Sequence, residues 1–99
     1  MDDIEQIIEI LRENRALLRQ FRVSSLSIFG SVAREDAGQN SDIDILVEFE
    51  PGAAIGFFAF ARLQKSLSRL VDRPVDLVTP DALHKALKHN ILKEAIHVI

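Results

Sequence analysis

The chain has 99 residues, a length that leaves room for one domain. Its 12 Lys and Arg residues are outnumbered by 15 Asp and Glu residues, and the formal net charge is −3. This balance argues against a nucleic-acid-binding protein that works mainly through a basic surface. The absence of cysteine excludes disulfides and cysteine-ligated zinc or iron–sulfur sites. We therefore expect one domain over residues 1–99.

Neither a secretion signal nor a membrane span is predicted. Met1 is followed by Asp2 and Asp3, where a signal peptide would carry basic and then apolar residues. The longest uncharged stretch, residues 51–61, is shorter than the ~20 apolar residues that cross a bilayer. A cytoplasmic location is the expectation.

The N-terminal half combines one helical pattern with two strand patterns. Apolar residues at helical spacing predict an amphipathic helix over residues 3–20. A strand over residues 23–29 stops at Gly30, where a short helical turn and a polar loop follow. Strict alternation predicts a second strand over residues 42–49, with its acidic residues on one face.

The C-terminal half continues the alternation of helices and strands. The pattern predicts a helix over 55–71, a strand over 75–79, a helix from Thr79 or Asp81 through Leu87, a break at His89 and Asn90, and a last short helix over 91–96. The expected fold class is α/β (α+β), with a small mixed three-stranded sheet flanked by helices.

Gly30 and Ser31 lie between the first strand and the helical turn. A glycine there lets the backbone approach a ligand closely, and the amides that open a helix favour phosphate. The Ser31 hydroxyl would add one more donor. Such junctions are also common as simple connectors, so this feature alone is weak evidence.

Three aspartates form the second candidate feature. Asp42 and Asp44 are one residue apart on a strand, so their carboxylates share a face with Cα atoms ~7 Å apart. Asp76 interrupts an apolar strand. If the two strands are neighbours, the three carboxylates form a cluster that can hold two magnesium ions. The alternatives are a solvent-facing strand side and a pairing of Asp76 with Arg34 or Arg73.

Three segments together resemble a known family. They are Gly30-Ser-Val-Ala-Arg34, Ser41-Asp-Ile-Asp-Ile45 and Val75-Asp-Leu-Val78. They look like the minimal nucleotidyltransferases of the DNA-polymerase-β-like superfamily, many of which are antitoxins beside HEPN-domain toxins. The resemblance covers nearly the whole chain. It implies transfer of AMP from ATP to a hydroxyl, expected to be a tyrosine, of a HEPN toxin by two-magnesium phosphoryl transfer.

The resemblance also implies roles for individual residues. Gly30 and Ser31 would bind the β- and γ-phosphates of the nucleoside triphosphate. Asp42 and Asp44 would bind both catalytic metals. Asp76 would bind the metal that activates the acceptor and help to accept its proton.

Two further residues are candidates for nucleotide binding. Arg34 would contact a phosphate, and the alternative is a salt bridge to Glu35 or Asp36. Ser41 would cap the loop or touch a phosphate. Relatives usually have glycine directly after the arginine, whereas Glu35 stands there in this chain. An acid at this point is expected to weaken nucleotide affinity.

No segment is a candidate for a second substrate-binding domain, and Trp and Tyr are absent. The acceptor is therefore expected to lie on another molecule, in a hetero-oligomer with the HEPN toxin and without direct nucleic-acid contact. Two alternatives stay open: a non-catalytic module that neutralises its partner by contact, and a small-molecule nucleotidyltransferase that needs a second subunit.

Several aromatic and histidine residues have a simpler interpretation. Phe57, Phe58 and Phe60 are expected to belong mostly to the core, with at least one of them exposed to a partner. The three histidines (His84, His89 and His97) share no metal-ligand spacing and are expected at the surface.

Overall fold

A computed structural model describes residues 3–34 and 42–99, with the backbone alone at Asp3. The helices and strands in chain order are α1 (Asp3–Glu13), α2 (Arg15–Gln20), β1 (Val23–Phe29), α3 (Gly30–Ala33), β2 (Ile43–Phe49), α4 (Phe57–Val71), β3 (Val75–Val78), a 3₁₀ helix (Pro80–Ala82), α5 (Lys85–Glu94) and β4 (Ile96–His97). The strands form one sheet in the order β3-β2-β1-β4. β2 pairs in parallel with β3, whereas β1 pairs antiparallel with both β2 and β4. The predicted mixed α/β class is confirmed.

The C-terminal segment differs from its prediction, because the sheet has a fourth strand. No break occurs at His89 and Asn90, which both lie within α5. β4 then pairs through Ile96 and His97 with the middle of β1, where the expectation was a helix. A two-residue strand is too short to leave an alternation pattern, so only its partner strand reveals it.

The segment before α5 also differs from the predicted helix. Only Pro80–Ala82 forms a turn of 3₁₀ helix, and the backbone is extended at Leu83 and His84. His84 then begins α5, because its Nδ1 accepts a hydrogen bond from the Ala86 amide at 3.2 Å. Local side-chain capping thus sets the helix start later than the apolar spacing predicted.

The predicted N-terminal helix is divided at Asn14. The Asn14 side chain donates a hydrogen bond to the Ile10 carbonyl at 2.8 Å, and its amide binds the Leu11 carbonyl three residues back. An asparagine that binds nearby backbone competes with the regular helical pattern. Two helices, α1 and α2, result where one was expected.

The core lies between one face of the sheet and the helices α1 and α4. The inward strand residues are fully buried: Leu26, Ile28, Ile43, Ile45 and Val47. They belong to one apolar cluster with Leu11 of α1 and with Leu63 and Leu67 of α4. This face is the one that the alternation in the second strand predicted.

We call the opposite side of the sheet the open face. Register pairs Phe29 with Asp44 and Ser27 with Leu46, so these residues alternate with the core residues. α5 contacts α3 and β1 but contributes no residue to the core cluster, which places it on the open face. Leu46 is buried there, whereas Asp44 is only partly covered.

The outer edge of β3 is closed by side chains of α4. Ser68 Oγ accepts a hydrogen bond from the Val75 amide at 3.0 Å, and Gln64 Oε1 accepts one from the Leu77 amide at 3.3 Å. These amides point away from β2, because the neighbouring Pro74 carbonyl accepts from β2. Satisfied amides prevent the edge from pairing with another chain.

The phenylalanines of α4 separate into two groups. Phe60 packs edge-on against Phe49, with ring centroids 6.4 Å apart, and joins the core margin. Phe57 and Phe58 are 80% and 79% exposed, so at least one phenylalanine is exposed as expected, but only Phe60 of the three joins the core. The three histidines are exposed, as predicted. No helix within the described ranges 3–34 and 42–99 is long and apolar enough to cross a membrane.

Candidate active site

Asp44 of β2 and Asp76 of β3 are register partners on parallel neighbouring strands. Neighbouring strands lie ~4.8 Å apart, and partners in register present their side chains on the same face. Both carboxylates therefore belong to the open face. Asp76 is exposed, in agreement with the alternative of a solvent-facing strand side.

The electrostatics of Asp44 reflect this crowding. Partial burial raises the pKa of the Asp44 carboxyl above its ordinary value of 3.8, and the charges of Asp76 and Asp42 raise it further. Arg34 acts in the opposite direction and lowers it. Asp42 is exposed and directly precedes β2. The strands β2 and β3 are thus neighbours, as the cluster hypothesis assumed, and both other aspartates repel Asp44.

Gly30 lies against the Asp44 carboxylate. Its φ of 75° is in the left-handed region that side chains disfavour. A Cβ at this position would approach Asp44 Cγ to 3.1 Å and would overlap the Oδ2 atom. Only glycine can therefore join β1 to α3 at this point. Ser31 follows as the second residue of α3 and is partly exposed.

Arg34 has a partner that the sequence did not indicate. Its Nη1 lies 3.6 Å from Glu94 Oε2 at the end of α5, and both side chains are about half exposed. No local sequence pattern predicts this ion pair, because the two residues are far apart along the chain. Ser41, Glu35 and Asp36 lie outside the described residues, and so does the loop-capping or phosphate-binding role expected of Ser41.

The donor set suits a hard divalent cation. Carboxylate oxygens are the preferred ligands of magnesium, and a cation would relieve the repulsion that, after partial burial, raises the pKa of Asp44. Within residues 3–34 and 42–99, no three acidic or histidine side chains already converge on a shared metal position. The suitability of this site for a divalent cation therefore depends on the chemistry and register of the carboxylates rather than on a preformed set of ligands.

Comparison with known protein families assigns the chain to one of them. A family model described as the nucleotidyltransferase domain matches residues 4–98. The chain belongs to this family. The nucleotidyltransferase domain therefore spans both Gly30 and the two paired strands, and the resemblance drawn from the three sequence segments is confirmed.

Relatives of similar length support the same assignment. A Methanocaldococcus jannaschii protein, named as an inferred protein adenylyltransferase, is 37% identical over 101 residues, covering 99% of this chain and 100% of that protein. The protein adenylyltransferase MntA of Thermococcus cleftensis is 34% identical over 96 residues, covering 96% of this chain and 95% of that protein.

Solved structures share the fold of the nucleotidyltransferase domain. One described as an inferred minimal nucleotidyltransferase has a TM-score of 0.76 and 35% identity, covering 97% of this chain and 95% of that chain. A toxin–antitoxin crystal structure with AMP-PNP has a TM-score of 0.69 and 26% identity, covering 85% and 68% respectively. The family and the fold are thus supported by sequence and by structure.

Proposed function

We propose that this protein is a cytoplasmic nucleotidyltransferase antitoxin that transfers AMP from ATP to a hydroxyl of a partner HEPN toxin. The observation that carries the proposal is the in-register pair of Asp44 and Asp76 beside Gly30, on the open face of a nucleotidyltransferase domain. The name protein adenylyltransferase, borne by a relative 34% identical to this chain, supports a protein as the acceptor.

The nucleotide would bind on the open face beside α3. Gly30 would let the backbone approach the triphosphate closely, and its lack of a side chain leaves room for the Asp44 carboxylate beside it. Ser31 would donate its hydroxyl to a phosphate oxygen, and Arg34 would add a positive charge nearby. A solved toxin–antitoxin structure of similar fold contains the ATP analogue AMP-PNP, which supports ATP as the donor.

The carboxylates would perform the chemistry of transfer. The acceptor oxygen forms a bond to the α-phosphorus of ATP, the bond from that phosphorus to the pyrophosphate breaks, and pyrophosphate leaves. The hydroxyl proton passes to a carboxylate, for which the exposed Asp76 is the candidate. Asp42, Asp44 and Asp76 would hold two magnesium ions, which would supply positive charge to stabilise the attacking and leaving oxygens.

The acceptor is proposed to come from a second protein. The open face presents its carboxylates at the surface, and Asp76 is exposed rather than enclosed. The HEPN toxin, with tyrosine as its modified residue, is the partner that the family resemblance implies. A bulky anionic adduct near the toxin's active site would repel RNA.

Intact-mass spectrometry tests the proposal directly. The protein is incubated with magnesium, ATP and the protein encoded by the neighbouring gene, and the mass of that neighbour is measured. Adducts in AMP-sized steps are expected. They should disappear with EDTA and with the Asp44→Asn or Asp76→Asn variant. Glu48→Gln is the matched control, since Glu48 is exposed on the same face of β2.

Other outcomes contradict the proposal in distinct ways. A tight complex without adducts, in which the asparagine variants still neutralise the partner, would identify a non-catalytic binding module. AMP transfer to a small hydroxylated compound, and not to the neighbouring protein, would identify a small-molecule nucleotidyltransferase.

A further inference from the structure

α5 lies beside the candidate active site and is poorly covered by the rest of the molecule. It contains no buried residue, although it contacts α3 and β1 on the open face. Leu87 and Leu92 expose 57% and 46% of their surface. Two leucines left in water on one short helix forfeit hydrophobic free energy that a bound partner would recover.

The net charge of α5 is positive, opposite in sign to the net charge of the whole chain. The chain has a net charge of −3, yet α5 carries Lys85, Lys88 and Lys93. None of these lysines forms an ion pair with a described residue. The single acid of α5, Glu94, already contacts Arg34 at 3.6 Å. Among residues 3–34 and 42–99, α5 therefore offers positive charge without an ion-pair partner on the same helix as its exposed leucines.

The position of α5 connects this surface with the candidate active site. Arg34, at the end of α3, lies close enough to Asp44 to affect its charge, and Glu94 contacts Arg34. Leu87 precedes Glu94 by two helical turns, so both residues lie on the same side of α5. A molecule that covers this side of α5 would thus extend from Leu87 towards Glu94 and Arg34.

We propose that α5 binds an acidic surface of the protein that carries the acceptor hydroxyl. This α5 surface has Lys85, Lys88 and Leu92 on one side of the helix and Leu87, with Glu94, on another. This inference depends on the proposed function for the identity of the partner. The leucines favour a protein over RNA, because a polyphosphate backbone would satisfy the lysines and leave both leucines in water.

The outer face of α4 has similar chemistry but the wrong location. Phe57 and Phe58 are exposed there, and Arg62 and Lys65 follow at helical spacing. α4 packs on the core side of the sheet, opposite the face that carries Asp44. A partner on α4 would hold its acceptor on the far side of the sheet. This face therefore provides matched control variants.

The test uses the full chain and, as probe, the purified protein encoded by the neighbouring gene. Affinity is measured by calorimetry without ATP, and transfer kinetics are measured separately. Leu87→Asp and the double variant Lys85→Glu/Lys88→Glu should each weaken binding about tenfold or more, as expected for central interface residues. The KM for the partner should rise, whereas the KM for ATP and the circular-dichroism spectrum should not change. Phe58→Asp and Arg62→Glu/Lys65→Glu should bind like the wild type.

The remaining outcomes separate the two proposals. Unchanged affinity in the folded α5 variants, or no binding of the neighbour by the wild type, would overturn the α5 surface. So would charge-reversal variants that lose only the binding of a single-stranded RNA oligonucleotide. If the wild type binds the neighbour through α5 but transfers no AMP, the docking surface stands and the proposed transferase activity fails.

Discussion

Asp44 and Asp76 stand opposite each other on the parallel strands β2 and β3, and partial burial together with the charge of Asp76 raises the pKa of Asp44. Two carboxylates in register on one face of a sheet repel each other unless a cation lies between them. This repulsion lowers the stability of the folded domain. Such a destabilising pair is expected if its role is to bind a cation.

The Asp44→Asn variant should therefore be more stable than the wild type at neutral pH without metal. A carboxyl whose pKa is raised by folding destabilises the folded state as the pH rises from its ordinary value of 3.8 through the raised pKa. The gain in Tm should be absent near pH 3 and should increase towards pH 7. Thermal unfolding in EDTA across this range measures it. Asp81→Asn, at an exposed position on the 3₁₀ helix, is the control, and an Asp44→Asn Tm below wild type at pH 7 would contradict the repulsion.

Gly30→Ala should destabilise the protein more than Gly52→Ala does. Both glycines have positive φ, 75° and 82°, so each substitution costs about 1–2 kcal/mol of backbone strain. At Gly52 a Cβ meets nothing within 4 Å, whereas at Gly30 it overlaps the Asp44 carboxylate. Overpacking should add about 1–3 kcal/mol at Gly30. Urea unfolding compares the two variants.

A double variant isolates the contact between Gly30 and Asp44. Replacing Asp44 by glycine removes the overlapping carboxylate, so the extra cost of Gly30→Ala should largely disappear in that background. If the loss in unfolding free energy of the double variant equals the sum of the losses in the two single variants, the carboxylate is not what excludes a side chain at position 30.

Leu26→Ala and Leu87→Ala should differ in stability although the chemical change is the same. Leu26 is completely buried in the core, whereas Leu87 is 57% exposed on α5. The buried substitution should cost about 2–5 kcal/mol, and the exposed one should stay within about 0.5 kcal/mol. Equilibrium unfolding in denaturant measures both. Equal costs would show that α5 is packed more tightly than its exposure indicates.

Ser68→Ala should loosen the outer edge of β3. The Ser68 hydroxyl accepts a hydrogen bond from the Val75 amide at 3.0 Å. Removal of the hydroxyl leaves this amide without a protein acceptor and should lower the free energy of unfolding by about 1 kcal/mol. Hydrogen exchange at Val75 should accelerate, and self-association should increase because the edge is open. Ser66→Ala on the same helix is the control. Unchanged protection at Val75 would refute the capping role.

Glu94→Gln should lower the KM for ATP with little effect on stability. The ion pair with Arg34 is long, at 3.6 Å, and half exposed, so it contributes at most about 1 kcal/mol. If Arg34 contacts a phosphate, Glu94 competes with the nucleotide for it. Glu50→Gln is the control, because it breaks the 2.7 Å ion pair with Arg22 away from the site. A raised KM would mean that Glu94 positions Arg34 rather than competing for it.

Much of the fold and of the site could be predicted from local patterns. Strand alternation placed Asp44 on the face opposite Ile43 and Ile45, because side chains along any strand alternate between its two faces. Asp42, which the pattern included in the same strand, directly precedes β2. The junction at Gly30 was recognisable because glycine marks a point where the chain turns or approaches another group. That residues 1–99 form one domain stays a prediction, and so do the roles of the site residues.

Other features depend on contacts between distant segments. The pairing of β4 with β1, the exposure of Phe57 and Phe58, and the ion pair between Arg34 and Glu94 leave no periodic trace in the chain. At Asn14, the side-chain amide and the regular helical backbone amide compete for the Ile10 carbonyl. The free-energy difference between the two hydrogen bonds is too small to predict from the sequence.

The sequence by itself determined that three aspartates and a glycine–serine junction are present and on which face of a strand Asp44 lies. Only the tertiary structure decided that Asp76 stands opposite Asp44 with Gly30 against it. The reason is that side-chain alternation is a property of one strand, whereas register is set by the order and alignment of separate strands, which the packing of the whole core determines.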